Sequence, residues 1–256
     1  MKHYGRGDKL VNLIVKGSIE KKSDSLRLQV FLSHNGVCSR RKAMDVIKDG
    51  RVSVNGLIVK EPSTSINIKN DNIKVDGVII QEKKYDYIMF NKPQGYVTTK
   101  VSQRSAKTVF DLLPSSFQHL SPVGRLDKDT EGLLLFTNDG DTAYGLTHPK
   151  FNVDKVYFVE VEGCLNSQNK QKLEKGVIID KKKTAPAKIK NVRVLSGSTE
   201  LVITIHEGRK RQVRLMFSSI GHEVKYLKRL SQGPLVLGNL KVGKWRSLTE
   251  DERKKL

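Results

Sequence analysis

Residues 123–140 read Val-Gly-Arg-Leu-Asp-Lys-Asp-Thr-Glu-Gly-Leu-Leu-Leu-Phe-Thr-Asn-Asp-Gly, and the rest of the chain is organised around them. The apolar run 133–136 is short enough for a buried strand, and Asn138-Asp139-Gly140 stops it with a turn signal. Arg125 and Asp127 stand just ahead of that run. Asp127 is therefore expected at the mouth of a buried strand, where a rigid element can hold a carboxylate in place. On position alone it is one of several turn aspartates, because Asp129, Asp139 and Asp141 crowd around it.

Outward from this stretch, residues 85–90 alternate as a strand that Asn91-Lys92-Pro93 is expected to break, and 95–99 read as its return. Residues 108–113 form a short helix ended by Pro114. Downstream, 141–147 are helical up to His148-Pro149. Residues 155–161 form a strand with Tyr157, Val159 and Val161 on one face, and 166–175 a polar amphipathic helix. Two further strands fall at 187–195 and 201–206. Glu207-Gly208-Arg209-Lys210-Arg211-Gln212-Val213-Arg214 then turns into a helix dense in cations. Thr249 and Glu252 have the spacing of a capping box. Strands and helices alternate without regular βαβ spacing, which predicts an α+β fold with a largely antiparallel sheet.

Towards the N-terminus, Leu28, Phe31 and Leu32 lie at helical spacing and Asn35-Gly36 closes their helix. Ser39 is a good N-cap for a second helix, which begins Arg40-Arg41-Lys42 and ends at Gly50. Asn55-Gly56 and Asp76-Gly77 each sit between short strands, the strongest short hairpin signal. Residues 81–84 are a polar connector. The expected organisation is a basic, poorly ordered tail over 1–24, a small domain over 25–84 and a larger one over 85–256.

The charge balance points to a polyanionic partner: 47 Lys+Arg against 27 Asp+Glu, net +20. The excess is +3, +5 and +12 over 1–24, 25–84 and 85–256, so a whole folded surface carries it. No apolar run has the length of a membrane span. Cys38 and Cys164 are far apart, and the six histidines are scattered without ligand spacing. The expectation is a cytoplasmic protein with no metal, no cofactor and no membrane partner.

The array RLxxFLxxxGxxSRRKAxxxIxxGRVxVNG, from Arg27 to Gly56, resembles the alpha-L RNA-binding domain named for its likeness to the fourth small-subunit ribosomal protein. That resemblance implies RNA contacts from Arg27, Arg40, Arg41, Lys42, Arg51 and Asn55. Helix N-terminal amides and arginines suit phosphate. One departure is 32–36, where the family usually has smaller residues.

The central stretch resembles the GRLD-x-x-T-x-GLLL-x-TNDG signature of the RsuA-like ribosomal RNA pseudouridine synthases. The likeness extends over about 25–252. It implies a synthase domain with a mixed, largely antiparallel sheet and a central cleft. It also implies Asp127 as the catalytic aspartate, Tyr157 as the strand tyrosine that stacks on the target base, and Arg214 as the aspartate's cationic partner. Arg125 comes with the motif as a substrate contact. Arg209 and Arg211 read as phosphate contacts. The chemistry is coherent: breaking and remaking a glycosidic bond within one uridine needs an ionised carboxylate but no redox equivalent, metal or nucleotide. Nucleophile and base roles for Asp127 are both open. The Glu-Gly-Arg-x-Arg-Gln-Val-Arg form is closer to the members acting on large-subunit ribosomal RNA. Leu215 departs where the family often has a second arginine. A monomer acting on ribosomal RNA is expected, and the rival expectation is a non-catalytic RNA-binding or ribosome-assembly protein on the same fold.

Overall fold

The computed structural model describes residues 25–81, 85–100 and 106–256. The tail expected over 1–24, most of the 81–84 connector and the Arg40 side chain lie outside the described residues. The chain divides into two compact units, Met1–Lys83 and Lys84–Leu256.

The first unit runs β1 (Ser25–Arg27), α1 (Leu28–His34), α2 (Arg40–Lys48), β2 (Val52–Val54), β3 (Leu57–Ile58), β4 (Ser65–Asn67), β5 (Ile73–Val75) and β6 (Val78–Ile79). Ser39 caps α2 by accepting the Lys42 N–H at 3.3 Å. Asn55 (φ 52°) and Gly56 (φ 85°) join β2 to β3, and Asp76 (φ 49°) and Gly77 (φ 80°) join β5 to β6. Positive φ at both central residues gives the turn twist that hairpins favour, and Asn, Asp and Gly tolerate it best. The four strands order as β3-β2-β5-β6, and β1 pairs separately with β4. Leu28, Phe31, Leu32, Ile47 and Val52 close the core between helices and sheet. The β1–β4 ladder was not expected, because three-residue strands carry almost no periodic signal.

The second unit runs β7 (Tyr87–Lys92), β8 (Ser121–Pro122), β9 (Glu131–Thr137), α3 (Gly140–Thr147), β10 (Lys155–Glu162), α4 (Ser167–Lys175), β11 (Ile178–Ile179) and β12 (Lys182–Lys183). It continues with β13 (Lys188–Leu195), β14 (Ser198–Ile205), α5 (Gln212–Ser218), β15 (Val224–Gln232), β16 (Leu235–Val236), β17 (Trp245–Ser247) and α6 (Glu250–Arg253). One sheet orders as β13-β14-β10-β15-β9-β7-β17, with β16 on β15 and β8 on β9. Only β15 against β9 is parallel; the other pairs are antiparallel. In β9, Leu134 and Phe136 enter one core, and Leu133 and Leu135 the other. A strand covered on both faces reads as an unbroken apolar run, which is why 133–136 stood out.

Two expectations are corrected. β7 does not break at residue 91: Asn91 and Lys92 pair with Leu133 and Gly132 of β9, and Pro93 ends the strand because it has no N–H to donate. Residues 95–99 do not form a strand; a single parallel bridge joins Val97 to Thr108. Residues 109–112 form a 3-10 turn with a Thr108/Asp111 capping box, and Thr249/Glu252 cap α6 in the same way. The β11–β12 hairpin was missed, since its turn follows Asp180 (φ 48°) with Lys181 (φ 61°), where the hairpin signal has Gly.

Candidate active site

Asp127 lies in the turn that leads into β9, and three residues from the preceding segment fix that turn. The Thr98 hydroxyl donates to the Leu126 carbonyl at 2.8 Å, and the Gly95 N–H to the Lys128 carbonyl at 2.8 Å. Lys92, fully buried at the end of β7, does most. Its ammonium donates to the carbonyls of Thr130 (2.8 Å), Asp127 (3.0 Å) and Pro93 (3.0 Å). Burial pulls Lys92 down to about 8, and Asp129, Asp127 and Glu131 oppose that pull. A buried cation thus replaces water as the partner of a turn's carbonyls.

Lys92→Met should remove these donors while roughly keeping the side-chain length. We expect a loss of about 2–4 kcal/mol in denaturant unfolding. Turnover should fall with little change in RNA affinity; an unchanged kcat would sink this anchoring role. Because the folded value lies below that of an ordinary lysine, the stability contributed by its titration is fully present above about pH 10. It declines as pH falls through about 8, so the gap between wild type and Lys92→Met should widen from pH 7 to pH 9.5.

Above the turn opens a cavity of about 520 Å³. Asp127 is the one acidic residue among its lining residues, against seven Lys and Arg. Its carboxylate is half-buried and makes no hydrogen bond or ion pair among the described residues. Tyr157, 8% exposed, reaches the same cavity from β10, between Ile203 of β14 and Arg229 of β15. Arg125 also lines it and is exposed. The structure therefore brings Asp127, Tyr157 and Arg125 together.

It does not join Arg214 to Asp127. The Arg214 guanidinium donates to the carbonyls of Asp129 (2.8 Å) and Val224 (2.9 Å). Its Nε lies 3.2 Å from the Asp129 carboxylate, without the alignment of a hydrogen bond. Arg211 holds that same carboxylate at 3.1 and 3.2 Å. Burial lowers the Arg214 value, and Asp129 opposes this more than Asp127 does. The cation-bound acid of the turn is thus Asp129, which sequence reasoning set aside as a turn residue; its two-residue spacing from Asp127 was the available signal.

Several expected RNA contacts are engaged within the protein. Arg209 donates to the carbonyls of Lys182 (3.0 Å) and Lys183 (2.7 Å), clipping the β11–β12 hairpin to the cavity rim. Arg51 grips Asp76 with two bonds, at 2.9 and 2.5 Å. The Asn55 amide donates to Asp71 and accepts the Asn72 N–H, both at 2.9 Å. Arg27, Arg41 and Lys42 are exposed and pair with no carboxylate among the described residues.

Among the described residues, no group of three or more His, Cys, Asp or Glu is placed to hold a metal ion, and no helix is long and apolar enough to cross a membrane.

Comparison with known proteins fits this architecture. A family model described as RNA pseudouridylate synthase matches residues 86–219, and an S4 domain model matches 26–73. The chain is 43% identical over 232 residues to the ribosomal large subunit pseudouridine synthase B of Bacillus subtilis, covering 90% of this chain and 95% of that one. It is 40% identical to an uncharacterized RNA pseudouridine synthase of Aquifex aeolicus, covering 89% and 92%. A crystal structure of a pseudouridylate synthase superposes with a TM-score of 0.63 at 32% identity, over 90% of this chain and 99% of that one. Motif, fold and relatives agree, and the chain belongs to the RNA pseudouridylate synthase family, with an S4 domain ahead of the synthase domain.

Proposed function

We propose that this protein isomerises one uridine of large-subunit ribosomal RNA to pseudouridine, in the cytoplasm and as a monomer. The observation that carries the reading is the acid among the cavity's lining residues: Asp127, without an ion pair among the described residues, shares the cavity with Tyr157 and a wall of cations. A hydrolytic glycosidase needs two carboxyl groups, one of them protonated for the leaving group. An isomerase that keeps its leaving group in the site needs one. The large-subunit address rests on the name of the B. subtilis relative and on the Glu207–Arg214 motif.

The target uridine is taken out of its stack into the cavity. Tyr157 supplies a flat ring for the uracil, worth roughly 1–3 kcal/mol by analogy with other base–aromatic stacks. The N1–C1′ bond breaks, the uracil turns, and C5 bonds to C1′. The C5 proton then leaves and N1 gains one, so atoms balance without a co-reactant. Two routes are open to Asp127, attack on C1′ or removal of a ribose proton. Both begin with its carboxylate against the sugar. The cationic wall meets the flanking phosphates, and the first unit, through Arg27, Arg40, Arg41 and Lys42, docks the surrounding RNA. Charge spread through both units favours contacts along an extended RNA over a single local one.

The test is pseudouridine mapping of ribosomal RNA from cells lacking the protein, with and without its re-expression. One large-subunit site should disappear and return. A small-subunit site would overturn the substrate, and no change at any ribosomal site would overturn the reading.

A further inference from the structure

We infer that Gln232 and Arg229 read the imide edge of the target uracil, and that Gln232 is the pivot on which the released base turns. The inference rests on the cavity being the isomerisation site.

Both residues belong to β15 and line the cavity beside the β10 residues that face it: Arg229 pairs with Tyr157, and Gln232 with Lys155. Gln232 is 1% exposed. Its amide nitrogen donates to the Leu146 carbonyl at 3.3 Å, which fixes which way the amide points, and its Oε1 has no hydrogen-bond partner among the described residues. Arg229 is 2% exposed. Its Nε donates to the Leu133 carbonyl at 2.8 Å; among the described residues its Nη2 has no partner and no carboxylate pairs with it. A buried acceptor and a buried charged donor left unsatisfied are each costly, and each such group in a native structure calls for a partner. Their completion by a ligand explains both.

The ligand must bring a donor to Gln232 and an acceptor to Arg229. A phosphate brings acceptors only and would set its lone pairs against Oε1. Uracil presents O2, N3–H and O4, an acceptor–donor–acceptor edge. Cytosine presents a lone pair at N3, which opposes the Gln232 acceptor, and a donor at N4 where uracil has a second acceptor. The isomerisation adds a stronger reason. A half turn of uracil about its N3–C6 axis brings C5 to the place of N1 and exchanges O2 with O4. N3–H stays where it was. Gln232 can therefore hold the same N3–H before, during and after the turn, while Arg229 meets one carbonyl oxygen first and the other afterwards. A base held this way rotates without leaving the cavity.

The test uses a synthetic RNA spanning the mapped uridine and the same RNA with N3-methyluridine there, followed by nuclease digestion and chromatography of the nucleosides. Wild type should convert uridine and discriminate against the methylated base by about 10⁴-fold in kcat/KM, as sites built around a buried hydrogen bond do. Gln232→Ala, which removes the acceptor and makes room for the methyl group, should bring that ratio within about tenfold. Gln232→Met, which keeps the volume, should lose roughly 10²-fold on uridine with RNA affinity and melting temperature unchanged. A folded Gln232→Ala that keeps the wild-type ratio, or a Gln232→Met with wild-type turnover, would overturn the pivot. A wild type that fails to convert the uridine RNA would instead overturn the proposed function.

Discussion

Asp127→Asn is expected to abolish turnover, with a loss of about 10⁴-fold or more, as when a nucleophile or base is removed from an otherwise intact site. RNA affinity and fold should be preserved. The carboxylate makes no hydrogen bond or ion pair among the described residues, so an amide of the same shape leaves no partner stranded. Release of tritium from RNA labelled at C5 of uridine measures turnover directly, because that hydrogen leaves in the reaction. Asp129→Asn is the informative contrast. Its carboxylate holds Arg211 and Arg214, so its loss frees two guanidinium groups beside the cavity. Stability should fall, and activity should drop less than with Asp127→Asn. Retained turnover in Asp127→Asn together with a dead but folded Asp129→Asn would exchange the two assignments.

That contrast also marks what the linear chain could and could not reveal. The strand over 131–137 and the turn before it were legible because a doubly covered strand leaves an unbroken apolar run, and because Asn-Asp-Gly ends it. Tyr157 was legible as one member of an alternating face. The hairpins announced themselves through Asn55-Gly56 and Asp76-Gly77. Partnerships across the sheet were not legible. Arg214 meets Asp129, Lys92 meets the 127–130 carbonyls, and Arg229 meets Leu133, each across 35 residues or more of chain. Those meetings depend on which strands become neighbours, and no local period encodes that. The same holds for Arg51 and Asn55: the resemblance to the alpha-L domain implied RNA contacts, whereas the pairing of β2 with β5 brought Asp76 and Asp71 within reach. Arg229 and Gln232 drew no attention in sequence because nothing about an arginine or glutamine in a strand indicates an unsatisfied, buried atom.

The step that makes these meetings possible is the parallel contact of β9 with β15, and Gly132 is where it can be broken. Gly132 pairs with Lys92 of β7 on one side and with Arg229 of β15 on the other. It therefore lies between the anchor of the Asp127 turn and the proposed reader of the base. Its φ of +111° is one that side chains rarely adopt, and a Cβ built there would stand 2.3 Å from the Arg229 carbonyl oxygen and 2.6 Å from its nitrogen. Both obstacles are backbone, so no rotamer change relieves them. Gly132→Ala should cost roughly 3–5 kcal/mol, combining an incompatible φ with overpacking against a strand that cannot move alone. Gly140→Ala supplies the control: that glycine opens α3, has no atom within 4 Å of its would-be Cβ and needs no positive φ. Replacing it should be neutral or stabilising by up to about 1 kcal/mol. Chemical denaturation of the two variants side by side checks both values. If Gly132→Ala unfolds within 1 kcal/mol of wild type, the strands can separate at this point without penalty. The positions of Lys92 and Arg229 would then have to be held by something other than the β9–β15 ladder. If the large loss is observed, one glycine keeps the acid's turn and the base-reading strand in register across the sheet.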